Sequence, residues 1–190
     1  MSRSELGPTA GYVLAGGASR RMGRDKALLE KAGVPLLKRA IAVVTAAAGR
    51  CSVVAPGGRY EGLGVPVIED LWPGEGPLGG IVTALGSGEG EWNLIVAVDM
   101  PFLEIGFLTV LLEEARKGRE TVVPAQADGD VEPLCGVYHV DALPRLRQFF
   151  DRGGRRVKDA LREIETRTVA APERTLVNVN TPEQWEAARS

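Results

Sequence analysis

The run Asn-Leu-Ile-Val-Ala-Val at Asn93–Val98, which stops at Asp99, constrains this chain more than any other stretch. A nearly continuous apolar run of strand length, without polar alternation, has to be covered on both faces, which marks a central strand between layers of helices. Other short apolar runs lie at Tyr12–Leu14, Cys51–Ala55, Val65–Ile68, Thr121–Pro124 and Leu134–His139. Helical patterns fall between them at Leu36–Ala48, Leu78–Leu85 and Ile105–Lys117. Strands alternating with helices predict a three-layer α/β fold, with a mostly parallel sheet and helices on both faces.

Local signals sharpen the ends of these elements. Gly49 stands where a helix over Leu36–Ala48 would close. In the second half, Gln126–Glu132 is polar and reads as a loop or hairpin. Val140, Leu143, Leu146 and Phe149 recur every three positions and predict a helix over Val140–Phe150. Val157, Ala160, Leu161 and Ile164 predict a further helix. Thr181-Pro182-Glu183-Gln184 has the form of a capping box, with Thr181 as N-cap, Pro182 at the first helical position and Gln184 reaching back.

No repeat, linker or low-complexity segment interrupts the 190 residues, so one domain over 1–190 with a sizeable core is expected. Met1–Glu5 lacks the apolar centre of a signal peptide, and no apolar run reaches the roughly 20 residues of a membrane span. A cytoplasmic protein is the expectation. Cys51 and Cys135 have no metal-ligand spacing and lie in apolar stretches, as small buried hydrophobes do in a reducing compartment. The formal charge of −2 gives no bulk attraction to nucleic acid or to an anionic membrane, so any anion site must come from local clustering.

Such a cluster follows the first strand. Leu14-Ala15-Gly16-Gly17-Ala18-Ser19-Arg20-Arg21-Met22-Gly23-Arg24-Asp25-Lys26 combines glycines, which allow close backbone approach to a ligand, with four cations facing one acid. A Walker loop is excluded, because five residues separate Gly17 from Gly23 and Arg24 follows where Lys-Ser/Thr is required. The dinucleotide fingerprint Gly-x-Gly-x-x-Gly is absent as well. What is left is a loop that holds phosphates in its own way, against the plainer reading of a strand-to-helix turn with solvated arginines.

Asp99 ends the central strand, at the carboxyl edge where open α/β sheets bind ligands, and a parallel sheet puts the loop after Leu14 on the same edge. Beside a triphosphate its carboxylate suits Mg²⁺; the alternative is an N-cap for the helix at Ile105. Asp70 follows the strand Val65–Ile68 on that same edge, either as a hydrogen-bond partner of a base or ribose or as an ordinary loop acid. Gly74-Glu75-Gly76-Pro77-Leu78-Gly79-Gly80 either lets a helix start close against a ligand or is a flexible crossing. His139, the single histidine, has no Ser or Cys partner in an interpretable arrangement and reads as a packed or surface residue, against a catalytic one. In Asn178-Val179-Asn180 a turn is the default reading, and an amide serving as ligand or hydrogen-bond partner is the other.

Taken together, Leu14-Ala15-Gly16-Gly17, Ser19, Arg21-Met22-Gly23 and Asp25-Lys26 resemble the signature of nucleotidyltransferases of the molybdenum cofactor guanylyltransferase type. Gly76-Pro77-Leu78-Gly79-Gly80, Asp99-Met100-Pro101 and Asn178-Val179-Asn180-Thr181-Pro182-Glu183 follow in the order of that family's later motifs, so the similarity runs roughly from Gly11 to Glu183. The resemblance implies a Rossmann-like fold of the nucleotidyltransferase type. It also implies transfer of GMP from Mg-GTP to the terminal phosphate of molybdopterin, with pyrophosphate released. Carried over by position, Leu14, Ala15 and Gly16 would line the guanine pocket, with Gly17 beside them. Lys26 would contact the nucleotide phosphates, Arg21 would support them and Asp70 would bind the nucleotide. Asp99 would hold Mg²⁺, and Asn180 occupies the place of a second metal contact. Arg21, Lys26 and Asp99 form the implied catalytic set. The implied partners are GTP and molybdopterin, then the chaperones that insert the cofactor and the molybdoenzymes that receive it.

Two segments are set against the family pattern. Related enzymes often offer an asparagine-bearing segment after the second strand, where this chain has Ala55-Pro56-Gly57-Gly58-Arg59. Glu132-Pro133-Leu134 keeps the Pro-Leu of a segment facing the pterin. The nearest rival is a cytidylyltransferase acting on the same pterin, which tends to carry alanine where Gly16 stands; a methyl there would narrow the base pocket. A sugar-1-phosphate nucleotidyltransferase usually needs a longer chain. A non-catalytic nucleotide-binding regulator could dispense with Asp99.

Overall fold

The computed structural model describes residues 7–17 and 25–189. In chain order the elements begin with β1 (Thr9–Leu14), a one-turn 3₁₀ helix (Lys26–Leu28), β2 (Glu30–Lys31), β3 (Val34–Pro35), α1 (Leu36–Ala48), β4 (Cys51–Ala55) and β5 (Val67–Glu69). Then come α2 (Pro77–Gly86), β6 (Trp92–Ala97), α3 (Ile105–Ala115), β7 (Thr121–Ala125) and β8 (Cys135–His139). The chain continues through α4 (Leu143–Asp151), the short α5 (Val157–Ala160), β9 (Thr166–Ala170) and α6 (Pro182–Arg189).

Seven strands form one sheet in the order β5-β4-β1-β6-β8-β7-β9, and β2 and β3 form a separate hairpin. The apolar run sits at the centre as expected: β6 is buried along its whole length. It pairs in parallel with β1, Leu14 opposite Ala97, while β1 pairs in parallel with β4 and β4 with β5. β8 is antiparallel to both neighbours, and β7 and β9 are parallel, so the sheet is mostly parallel with one reversed strand.

Side chains of a strand alternate between faces, and each face has its own core. Val13, Val53, Leu94 and Val96 pack with Leu37 and Val44 of α1 and Leu108 and Leu111 of α3. Tyr12, Val54 and Ile95 pack with Leu78 and Ile81 of α2, Leu146 and Phe150 of α4 and Ala160 of α5. A third cluster, Leu29, Leu36, Val179, Trp185 and Ala188, fastens α6 near the start of α1. The caps behave as read: Gly49 takes φ 82° and its N–H donates to Thr45 O at 2.8 Å. Gln184 Oε1 accepts from the N–H groups of Asn180 (2.7 Å) and Thr181 (3.1 Å), while Gln184 N–H donates to Thr181 Oγ1 at 3.3 Å.

Several boundaries differ from the sequence reading, for local reasons. The strand expected over Val65–Ile68 runs from Val67 to Glu69, and Val65 packs on the core instead. The helix expected over Val140–Phe150 splits into a 3₁₀ turn at Val140–Ala142 and α4, because Pro144 has no N–H for residue 140 and its ring blocks an upstream extension. The Val157–Ile164 pattern is likewise a four-residue helix followed by a 3₁₀ turn. Strand β9 and the β2–β3 hairpin have no counterpart in that reading. β9 lies at the sheet edge and is nowhere fully buried, and the hairpin strands are two residues long, too short to show a period. Among the described residues no helix is long and apolar enough to cross a membrane.

Of the packed and surface placements open to His139, the structure shows the packed one, at the sheet edge opposite Asp99. It is buried, its ring lies 4.6 Å from that of Trp92, its Nδ1 accepts from Asp141 N–H at 3.2 Å, and its Nε2 lies 3.1 Å from Glu91 Oε1. Both cysteines are buried and free.

Candidate functional site

The parallel strands β5, β4, β1 and β6 end on one edge, and backbone pairing continues past their ends to shape it. Ala15 N–H donates to Val54 O (2.9 Å), Val98 N–H to Leu14 O (3.2 Å) and Asp70 N–H to Ala55 O (2.8 Å). A cavity of about 320 Å³ opens there, within the size range of small-molecule sites. Leu14, Ala15, Gly16, Gly17, Lys26, Asp70, Asp99 and Asn180 all line it, so the sheet gathers every sequence-predicted site residue that the structure describes. Arg21 lies outside the described residues.

Asp70 is nine-tenths buried and held in place by one of its oxygens. Its Oδ1 accepts from Trp72 N–H at 3.0 Å and lies 3.3 Å from the hydroxyl of Thr83, which is also 3.0 Å from Gly79 O. Its Oδ2 faces Gly16: a methyl built at Gly16 would lie 3.6 Å from that oxygen and 3.3 Å from Pro56 Cδ. Asp70 is thus an anchored loop carboxylate at the cavity wall, with Oδ2 on the side of Gly16. Sequence reasoning missed Thr83, whose only signal was a lone hydroxyl inside the apolar run of α2.

On the other side Lys26, Asp99 and Asn180 converge. Lys26 Nζ donates to Asp99 Oδ2 at 3.1 Å and to Asn180 Oδ1 at 2.6 Å. Asp99 is not a helix cap, since α3 begins after Glu104 and no side chain caps it. The turn favoured for Asn178–Asn180 does not form. The segment is irregular and bound at each residue: Asn178 Nδ2 donates to Glu132 Oε2 (2.7 Å), Val179 N–H to Asp99 O (2.9 Å), and Asn180 accepts from Lys26. Val179 is buried in the cluster that fastens α6, so α6 delivers Asn180 to the cavity. A positive charge thus stands between a carboxylate and an amide oxygen. These are hard donors of the kind Mg²⁺ takes from protein when phosphate and water complete its shell, so the residues present fit that ion. Among the described residues no group of three or more His, Cys, Asp or Glu side chains gathers to hold a metal by itself.

In the second glycine cluster, Gly74 and Gly76, at φ 85° and 93°, line the cavity together with Gly80, where an added methyl would stand in ordinary contact with Leu14, 3.4 Å from its Cδ2. Leu134 lines the cavity, and Glu132 holds Asn178. The segment after β4 brings Pro56 against Gly16 and sends Arg59 to Asp25.

Comparison with known proteins decides the class. The family model for the MobA-like NTP transferase domain matches residues 11–186. The chain belongs to the MobA-like NTP transferase family. A probable molybdenum cofactor guanylyltransferase of Opitutus terrae is 37% identical over 193 aligned residues, covering 95% of this chain and 94% of that protein. A protein of the same printed name from Nostoc sp. is 36% identical over 178 residues, covering 90% of this chain and 86% of its own. The fold is shared with the molybdopterin-guanine dinucleotide biosynthesis protein A of Archaeoglobus fulgidus, at TM-score 0.80 and 24% identity over 95% of this chain and 96% of that one. It is also shared with the 2-C-methyl-D-erythritol 4-phosphate cytidylyltransferase of Thermus thermophilus, at TM-score 0.71 and 18% identity over 93% and 96% of the two chains. The fold is thus common to proteins named for guanine dinucleotide synthesis and for cytidylyl transfer, so the fold by itself does not fix the base.

Proposed function

We propose that this protein transfers GMP from Mg-GTP to the terminal phosphate of molybdopterin, forming the guanine dinucleotide cofactor and releasing pyrophosphate. One observation carries the reading: Lys26, Asp99 and Asn180, which suit phosphate and metal, converge on the same cavity as Leu14–Gly17 and Asp70. An oxygen of the pterin phosphate attacks the α-phosphorus of GTP, the bond from that phosphorus to the oxygen bridging the β-phosphate breaks, and that oxygen leaves with pyrophosphate. The second pKa of a phosphate monoester is about 6, so the nucleophile is already ionised near neutral pH and no general base is needed.

Lys26 gives a fixed positive charge at the phosphates, where charge builds up on the leaving group. Asp99 and Asn180 would hold Mg²⁺, which when bound neutralises phosphate charge and orients the oxygens for in-line displacement. Arg21 would add a second cation. Leu14, Ala15 and Gly16 would line the base recess, Gly17 would lie beside the nucleotide, and Asp70 would accept from it through Oδ2.

Guanine rather than cytosine is favoured at Gly16. With glycine there, the space between Pro56 and Asp70 Oδ2 stays open for the larger purine, and an N–H of the guanine edge can donate to Oδ2. Mixing the protein with GTP, Mg²⁺ and molybdopterin should release pyrophosphate, and Asp99→Asn should lower that rate by about a thousandfold with the thermal midpoint unchanged. Near-normal turnover in Asp99→Asn would remove Asp99 from the reaction.

A further inference from the structure

The loop between β4 and β5 carries a feature outside the nucleotide contacts above. Asp25, the residue before Lys26, is the N-cap of the one-turn 3₁₀ helix: its Oδ1 accepts from Ala27 N–H at 3.1 Å. Its other oxygen, Oδ2, accepts from two donors of that loop, Tyr60 Oη–H at 2.7 Å and Arg59 Nη2 in an ion pair. Tyr60 is held at φ 60°, a left-handed conformation that a bulky side chain adopts only when its surroundings enforce it. Its ring packs against the core on one face of the sheet and lies 5.0 Å from the Arg59 guanidinium. Burial, together with the hydrogen bond to and charge of Asp25, pushes the Tyr60 phenol up against the opposing pull of Arg59, so it remains a donor throughout the neutral range.

We infer that Arg59 and Tyr60 are positioning residues, which lock Asp25 so that the one-turn helix presents the Lys26 ammonium to the nucleotide phosphates. The line of contacts is continuous: Arg59 and Tyr60 hold Asp25, Asp25 caps the turn, and the turn sets Lys26 between Asp99 and Asn180. Without the lock, Lys26 would sample other directions and the binding geometry would be met only part of the time. The backbone strain at Tyr60 has a reason on this view, because it accompanies the placement of the phenol on Asp25. The inference rests on Lys26 serving GTP phosphates as proposed above.

The test is a double-mutant cycle read as Mg-GTP affinity by titration calorimetry, with thermal midpoints recorded for every variant. Tyr60→Phe keeps the ring and removes only the hydroxyl; it should weaken Mg-GTP binding about five- to tenfold. In a Lys26→Ala background the same change should have no further effect, since its route to the ligand is gone. Arg59→Gln is the second variant, and Arg59→Lys should restore part of the affinity by returning a charge to Asp25. Equal weakening by Tyr60→Phe in both backgrounds would overturn the inference, as would full affinity in both Tyr60→Phe and Arg59→Gln. If Lys26→Ala alone binds Mg-GTP like the wild type, the functional reading of Lys26 falls, an outcome the cycle separates from failure of the lock.

Discussion

Asp99 and Lys26 each sit about four-fifths shielded from solvent and are paired at 3.1 Å, so neither is an idle surface charge. The pair holds both groups at the cavity before a ligand arrives. Gly16 is a different kind of residue: what matters is the atom it lacks. A methyl there would press on Pro56 Cδ at 3.3 Å, stand in ordinary contact with Asp70 Oδ2 at 3.6 Å and take up space on the cavity wall. Gly16→Ala is therefore expected to lower affinity for GTP about tenfold more than for CTP, since one methyl's worth of pocket space discriminates by roughly 10- to 200-fold. Titration of both nucleotides into wild type and variant checks it. An equal loss for both would place the base elsewhere.

At the scale of elements, what the sequence showed and what it hid have physical reasons. The parallel half of the sheet was legible because its central strands are buried on both faces and end at polar or glycine-rich loops. That pattern sufficed to set Asp70, Asp99 and Leu14–Gly17 on one edge. The lock on Asp25 was not legible, because Arg59 and Tyr60 lie some 35 residues away on a neighbouring loop and no spacing rule links them to Asp25. Asn178–Asn180 misled for a related reason: Val179 N–H is fixed by Asp99 and the two asparagine side chains by Glu132 and Lys26, three partners remote in sequence. The capping box that follows was read correctly, since its partners lie within four residues. Gln184→Ala frees the amides of Asn180 and Thr181 and should cost about 1 kcal/mol, a drop of about 2–4 °C in thermal midpoint for a chain this size. Differential scanning calorimetry measures that, and an unchanged midpoint would show that the box adds nothing to the docking of α6.

For the whole molecule, two apolar layers enclose one sheet and leave a working edge between β5 and β6. Cys51 and Cys135 are buried in that construction, and burial pushes the Cys51 thiol up to about 12 and raises that of Cys135 as well. Neither should be a thiolate near neutral pH, so a maleimide should leave both unlabelled in the native protein and modify both once urea unfolds it. Labelling of either before unfolding would mean that its core layer opens on its own. The central claim, that this edge moves GMP from GTP to a pterin phosphate, is tested most directly by following the α-phosphate. GTP labelled at the α-phosphorus is mixed with equal unlabelled CTP, Mg²⁺, molybdopterin and the protein. Label is expected in a guanine dinucleotide of the pterin, with unlabelled pyrophosphate and no transfer once the magnesium is chelated; label left wholly in GTP, or a cytosine dinucleotide as the main product, would overturn the assignment.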